Sequence, residues 1–144
     1  MKNAIIVVRT ESTRLPKKCH LPFGDGSVLQ HIIKRAKHFG FEPIIATTIS
    51  YGDDIIERIA HQEKCKYFRG DIDDVDKRLR DACRELNIDS FYRIDADDLF
   101  FEFPRGEHRY IGDWHDTAEN YKNCANKIRL TLDYGEDYWM LYVV

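Results

Sequence analysis

What is scarce in this chain narrows it before anything present does. Its four cysteines, Cys19, Cys65, Cys83 and Cys124, form no Cys-x-x-Cys pair. No histidine is spaced to complete a zinc site with them, so a zinc ribbon or finger is excluded and the thiols read as reduced and mostly buried. No apolar stretch is long enough to span a bilayer, and the apolar run near the N-terminus is too short for a secretory signal; a soluble, cytoplasmic protein with no membrane partner is expected. Charge of one sign never gathers into a block: 22 Lys and Arg are interleaved with 25 Asp and Glu, for a net charge of -3. A general nucleic-acid binder is thereby excluded, and any site for a polyanion must be local. Repeats and low-complexity linkers are absent too, so residues 1–144 are expected to form a single compact domain, large enough to bury a real core.

What is there begins with Ala4-Ile5-Ile6-Val7-Val8, followed at once by Arg9-Thr10-Glu11-Ser12-Thr13-Arg14-Leu15-Pro16-Lys17-Lys18. An apolar, β-branched run bounded by polar residues reads as a buried central strand of a parallel sheet. The loop leaving it is cationic, carries hydroxyls and is stiffened by a proline. Ligands of open α/β sheets bind at the carboxyl ends of strands, so this loop is a candidate cradle for a polyanion. The bland alternative is a solvated loop that keeps the protein soluble.

Further along, Phe23-Gly24-Asp25-Gly26 reads as a turn and Ser27 as the cap of a helix carrying Val28, Ile32, Ile33 and Ala36 to about Gly40. Pro43 to Thr48 is a second strand; Asp53-Asp54 start a second helix with Ile55, Ile56 and Ile59; Cys65 to Arg69 is a third strand. The acidic run Asp71 to Asp76 suits the start of a third helix, whose buried stripe is Val75, Leu79, Ala82, Cys83 and Leu86. Phe91 to Ala96 is a fourth strand. Strict alternation of strands and helices implies right-handed crossovers and an α/β, three-layer α-β-α fold with a mainly parallel sheet. From Leu99 to about Asn126 no period is legible; Lys127 to Asp133 alternates like a strand, and a short helix is expected from Glu136 to the end. The apolar close at Val143-Val144 suggests cover by a partner or by further chain.

Strand four ends Asp95-Ala96-Asp97-Asp98, and a buried carboxylate there must find a cation or lose its charge. Asp95 and Asp97 share a face; Arg93 and Asp95 can instead pair with each other as a structural ion pair. Asp97 and Asp98 can also be solvated turn residues, and Asp133 can simply cap the last helix.

The segment Arg-x-x-Ser-Thr-Arg-Leu-Pro-x-Lys at Arg9 to Lys18 resembles the signature loop of the sugar cytidylyltransferases, the branch related to spore-coat polysaccharide biosynthesis and to the acylneuraminate and KDO cytidylyltransferases. Matching segments cover nearly all of residues 4 to 102 and about 105 to 141. The family's Gly-Asp-x-Pro motif corresponds to Ala96-Asp97-Asp98-Leu99, partly kept, and its Leu-Thr-Leu-Asp-x-x-Glu-Asp motif to Leu130 through Asp137. Glu107-His108 resembles an Arg-Glu-His motif with Gly106 in the arginine's place, and Asp73-Asp74-Val75 with Arg78 resembles the segment after strand three, although acidic residues at a helix start are explained by the dipole alone.

The resemblance implies a nucleotide-diphospho-sugar transferase type of fold and Mg²⁺-dependent transfer of CMP from CTP to a sugar or sugar acid, with release of pyrophosphate. It assigns catalysis to Arg9, Lys18 and Asp97, and nucleotide binding to Arg9, Ser12, Thr13, Arg14, Lys18, Thr48, Arg78 and Arg93. Asp97 and Asp133 would hold Mg²⁺, a sensible number of carboxylates for that ion beside phosphate oxygens. A long section that full-length relatives carry between the strand-four aspartate and the Glu-His segment is essentially absent. In the family that section supplies much of the sugar pocket and the subunit contact, so a homodimer completing the acceptor site, a nucleotide-binding domain without turnover, and a structural or interaction module on the same fold all stay open. An aspartyl-phosphate phosphatase is disfavoured, because Arg9 stands where its aspartate would close strand one.

Overall fold

The computed structural model describes residues 2–11, 18–96, 106–111 and 138–143, with backbone alone for Lys18 and the last two segments. Strand β1 (Lys2–Val7) is the centre of a six-stranded sheet. It pairs in parallel with β4 (Phe41–Thr48) on one flank and β6 (Ser90–Asp95) on the other, with Ile5 opposite both Ile44 and Arg93. Beyond β4 lies β5 (Lys66–Gly70), also parallel. The chain thus winds outward from β1 through β4 to β5, then returns to lay β6 on the opposite flank of β1. This reversal creates a switch point between β1 and β6. A small antiparallel ribbon, β2 (Pro22–Phe23) with β3 (Gly26–Ser27), leads into the first helix.

Side-chain alternation along β1 decides which helix covers which face. Ala4, Ile6 and Val8 pack with α1 (Val28–His38) through Leu29, Ile32, Ile33 and Ala36, and with α2 (Asp54–Gln62) through Ile56, Ile59 and Ala60. Ile5 faces the other way, joining Ile44, Ala46, Phe91 and, from α3 (Val75–Glu85), Leu79 and Cys83. Two apolar layers therefore sandwich the sheet, and each fully buried isoleucine contributes on the order of 2 kcal/mol relative to exposure. The expected three-layer, mainly parallel α/β fold is the one observed.

Local chemistry sets the helix starts. Ser27 accepts from the Gln30 amide at 3.2 Å while the Gln30 side chain accepts from the Ser27 amide at 2.9 Å, a complete capping box. Asp74 accepts from the Lys77 amide at 3.0 Å and so caps α3. No helix among the described residues is long and apolar enough to cross a membrane.

Two expectations change. The helix expected from Glu136 is instead strand β8 (Tyr138–Val143), antiparallel to β6 with Phe91 opposite Tyr142. Half of Tyr-Trp-Met-Leu-Tyr-Val is aromatic, and aromatic residues favour a pleated surface once a strand edge is available. Strand β7 (Gly106–Ile111), in the stretch where no period was legible, pairs in parallel with β8. Ile55, placed in the stripe of helix two, is 37% exposed, so the buried face of α2 is narrower than its spacing suggests. The strand expected at Lys127 to Asp133 lies outside the described residues.

Candidate functional site

The carboxyl ends of β1, β4, β5 and β6 share one edge of the sheet, toward which lie Arg9, just beyond β1, Arg93, on β6, and Arg78, on α3. Arg9 leaves the end of β1 exposed to solvent. Arg93, on β6, points to the α3 side with Phe91; its Nε donates to Asp95 Oδ1 at 3.0 Å, the pairing foreseen for two residues on one strand face. Arg93 also lines a cleft of about 490 Å³ with Asp73, Asp74, Val75 and Asp76 at the start of α3.

Arg78, from the first turn of α3, is 1% exposed. Its Nε donates to the Asp71 carbonyl at 2.9 Å and its Nη2 to the Ile72 carbonyl at 3.1 Å, so the guanidinium ties the β5–α3 loop to its own helix. Gly70 makes this approach feasible, since a Cβ there would meet the Phe68 ring at 2.5 Å and Arg78 Cγ at 3.2 Å. Burial pushes the pKa of Arg78 down, and the positive charges of Arg9 and Arg93 add to the effect, whereas Asp53 and Asp71 oppose it. Arg9 and Arg93 each lie near enough to Arg78 for their charge to act on it.

The base of the cationic loop is held by a polar network that the sequence did not disclose. The Thr10 amide donates to Asp53 Oδ1 at 2.6 Å, and the Thr10 hydroxyl donates to the Gly52 carbonyl at 2.9 Å with His20 Nε2 at 3.1 Å. Asp53, 3% exposed, takes the Thr48 hydroxyl on its other oxygen, and Thr48 Oγ1 accepts the Ser50 amide at 3.2 Å. Arg69 supports the same β4–α2 loop from beneath. Its Nε donates to the Thr48 carbonyl at 2.8 Å and its Nη2 to the Ser50 carbonyl at 2.7 Å, while Nη1 pairs with Asp54 at 2.7 Å and Glu57 at 2.9 Å. The Arg69 hydrogen bond, reinforced by that of Tyr67, lowers the pKa of Glu57. Asp53 reads in the sequence as an ordinary helix-start carboxylate and Arg69 as a strand end; only contacts 43 and 21 residues apart reveal their roles.

Of the residues expected to meet a nucleotide, Arg9 and Arg93 stand at the carboxyl ends of adjacent strands, and Arg78 lies buried near enough for their charge to act on it. Thr48 is brought to the same edge but is 1% exposed, its hydroxyl turned inward to Asp53. Lys18 opens a 3-10 turn (Lys18–His20) that packs on α1 at the far end of the loop. Ser12, Thr13, Arg14, Asp97 and Asp133 lie outside the described residues. The Asp71 and Asp74 carboxylates serve the backbone: Asp71 accepts from the amides of Asp73 and Asp74, and Asp74 caps α3, while Asp73 lines the cleft beside Arg93. Glu107 and His108 fall on β7. Among the described residues no group of three or more His, Cys, Asp or Glu could hold a metal ion; one or two carboxylates completed by phosphate oxygens would not form such a group.

Comparison with known proteins bears on this edge directly. The family model for cytidylyltransferases matches residues 3–102, the segment that contains β1 through β6. A cytidylyltransferase structure from Leptospira borgpetersenii serovar Hardjo-bovis is 38% identical, with a TM-score of 0.64 over 66% of this chain and 41% of that one. The structure of a CMP:2-keto-3-deoxy-manno-octonic acid synthetase complexed with CTP is 24% identical, with a TM-score of 0.56 over 67% of this chain and 40% of that one, and shares the fold. An uncharacterised protein of Methanocaldococcus jannaschii is 34% identical over 95 residues, 65% of this chain and 39% of that protein. The chain therefore spans about two fifths of the length of these relatives. With the family model covering more than half of its residues, the chain belongs to the cytidylyltransferase family.

Proposed function

We propose that this protein is a Mg²⁺-dependent nucleotidyltransferase that moves CMP from CTP to a sugar or sugar acid, releasing pyrophosphate. The observation that carries the reading is the placement of Arg9 just beyond β1 and Arg93 near the end of β6, the adjacent parallel strands that flank the switch point of the sheet. That crevice is where a nucleotide would sit; Arg9 and Arg93 would supply positive charge for a triphosphate there, beside an acidic wall of Asp73, Asp74 and Asp76. In the reaction the acceptor hydroxyl attacks the α-phosphorus of CTP and gives up its proton to solvent, a new P–O bond forms, the bond to the oxygen bridging to the β-phosphate breaks, and pyrophosphate departs with that oxygen and its electron pair. Arg9 and Lys18 would neutralise the triphosphate, and Ser12, Thr13 and Arg14 would donate hydrogen bonds or charge to its oxygens. Arg93 would act at the edge of the cleft, while Arg78 and Thr48 would act from beneath, by shaping the loops that surround it. Asp97 and Asp133 would hold Mg²⁺, which when bound neutralises phosphoryl charge. No covalent intermediate is required, since alignment and charge stabilisation carry such transfers.

The short spacing between Asp97 and Glu107, where full-length relatives carry much of the sugar pocket, favours a second reading: CTP binding without turnover unless a second copy completes the acceptor site. Pyrophosphate release separates the two. With Mg²⁺ and CTP, addition of a sugar acid acceptor is expected to release pyrophosphate in proportion to the CMP-sugar formed. CTP binding with no release for any acceptor, at any protein concentration, would leave only the second reading standing.

A further inference from the structure

An aspartate at the N-terminus of a helix ordinarily turns its carboxylate back onto its own helix's amides. Asp53 precedes α2 and makes no such cap. One oxygen instead takes the Thr10 amide at the base of the cationic loop, and the other takes the hydroxyl of Thr48 at the end of β4, five residues back. The group is 3% exposed. Burying a carboxylate is costly unless charge-assisted hydrogen bonds replace its water, and these two do so. A second tie runs alongside, from the Thr10 hydroxyl to the Gly52 carbonyl, so Thr10 is fixed at both its backbone and its side chain.

Thr10 is the neighbour of Arg9. Holding the Thr10 amide holds the Arg9–Thr10 peptide plane, and with it the Cα from which the Arg9 side chain starts. The like charge of Arg78 disfavours the approach of Arg9. Asp53 restrains it mechanically and supplies negative charge near Arg78.

We infer that Asp53 is a positioning residue for nucleotide binding: acting through Thr10, it anchors the backbone from which Arg9 projects at the carboxyl end of β1, without itself touching the ligand. This rests on the nucleotide reading above. It predicts that Asp53 matters for the phosphates and not for the rest of the nucleotide, which a residue serving only overall stability would not show.

The test uses the full chain as parent, Asp53→Ala, Asp53→Asn and Thr10→Val, each first checked for native circular dichroism. Amide exchange by NMR should show Thr10 protected in the parent and unprotected in Asp53→Ala. Calorimetric titration should show CTP binding weakened about 10–100-fold in Asp53→Ala, the range expected for losing one charge-assisted hydrogen bond. CMP binding should weaken much less, so the preference for CTP over CMP shrinks. Asp53→Asn, which keeps one acceptor oxygen, should recover most of the affinity, and Thr10→Val should fall between. If Asp53→Ala does not fold, Asp53→Asn and Thr10→Val carry the comparison. Equal losses for CTP and CMP, or variants that bind CTP as the parent does, would overturn the inference while leaving the nucleotide reading intact. A parent that binds no CTP would sink both.

Discussion

Replacing Arg78 by methionine probes the fold and the site together. The change keeps the aliphatic stem that passes Gly70 at 3.2 Å from a would-be Cβ, and removes the guanidinium with its bonds to the Asp71 and Ile72 carbonyls. Each hydrogen bond from a charged donor is worth roughly 1.5–3 kcal/mol, but removing a buried charge returns part of its desolvation cost. Asp71 and Ile72 are not fully buried, so water can reach their freed carbonyls. The net loss should be about 2–3 kcal/mol, since those carbonyls are resolvated and not stranded. For a chain of 144 residues that lowers Tm by roughly 6–12 °C, measurable by scanning calorimetry at pH 7. CTP affinity, titrated well below the new Tm, should fall about tenfold, a cost of about 1.4 kcal/mol, through loosening of the loop behind the cleft. An unchanged Tm would refute the claim that Arg78 straps the β5–α3 loop. A lowered Tm with parental CTP affinity would make Arg78 a strut with no bearing on the site.

Other outcomes follow from the same structure. Ser27→Ala breaks the capping box of α1 and should cost about 1 kcal/mol in urea unfolding at unchanged m-value. Burial raises the Cys65 pKa to about 11 and the Cys83 pKa to about 12. At pH 8 Cys65 should therefore be alkylated by iodoacetamide roughly 100-fold more slowly than a thiol of ordinary pKa, an effect read by mass spectrometry and abolished by unfolding. The same shifts act on stability. Above pH 9 the unfolded chain releases thiol protons that the folded chain retains, so stability is full below that pH and falls as pH rises, by on the order of 1 kcal/mol per thiol at pH 10. Lys18→Ala and Asp97→Asn should each weaken Mg·CTP binding with Tm unchanged; parental affinity in both would remove these residues from the proposed site.

The central fold was legible because local and global preferences agree along it. Ala4 through Val8 could only be a buried strand, and its alternation, with Ile5 on one face and Ala4 and Ile6 on the other, matches the two helical layers. Helices whose apolar spacing followed a capping Ser27 or Asp74 lay where expected. Tyr138 to Val143 was misread because an unbroken apolar run has no period of its own; the neighbouring strand β6 decides it. At the site, the Arg93–Asp95 pair could be foreseen, since residues two apart on a strand share a face. Asp53 could not: its partner Thr10 is 43 residues away, and nothing in a helix-start aspartate distinguishes a cap from a clasp.

Calorimetric titration of CTP into the parent protein and into Arg9→Ala, both with Mg²⁺, tests the central claim most directly. The account predicts saturable binding to the parent and binding at least about tenfold weaker to Arg9→Ala, as expected for loss of a charge-assisted contact. Equal binding to both proteins, or binding to neither, would contradict it.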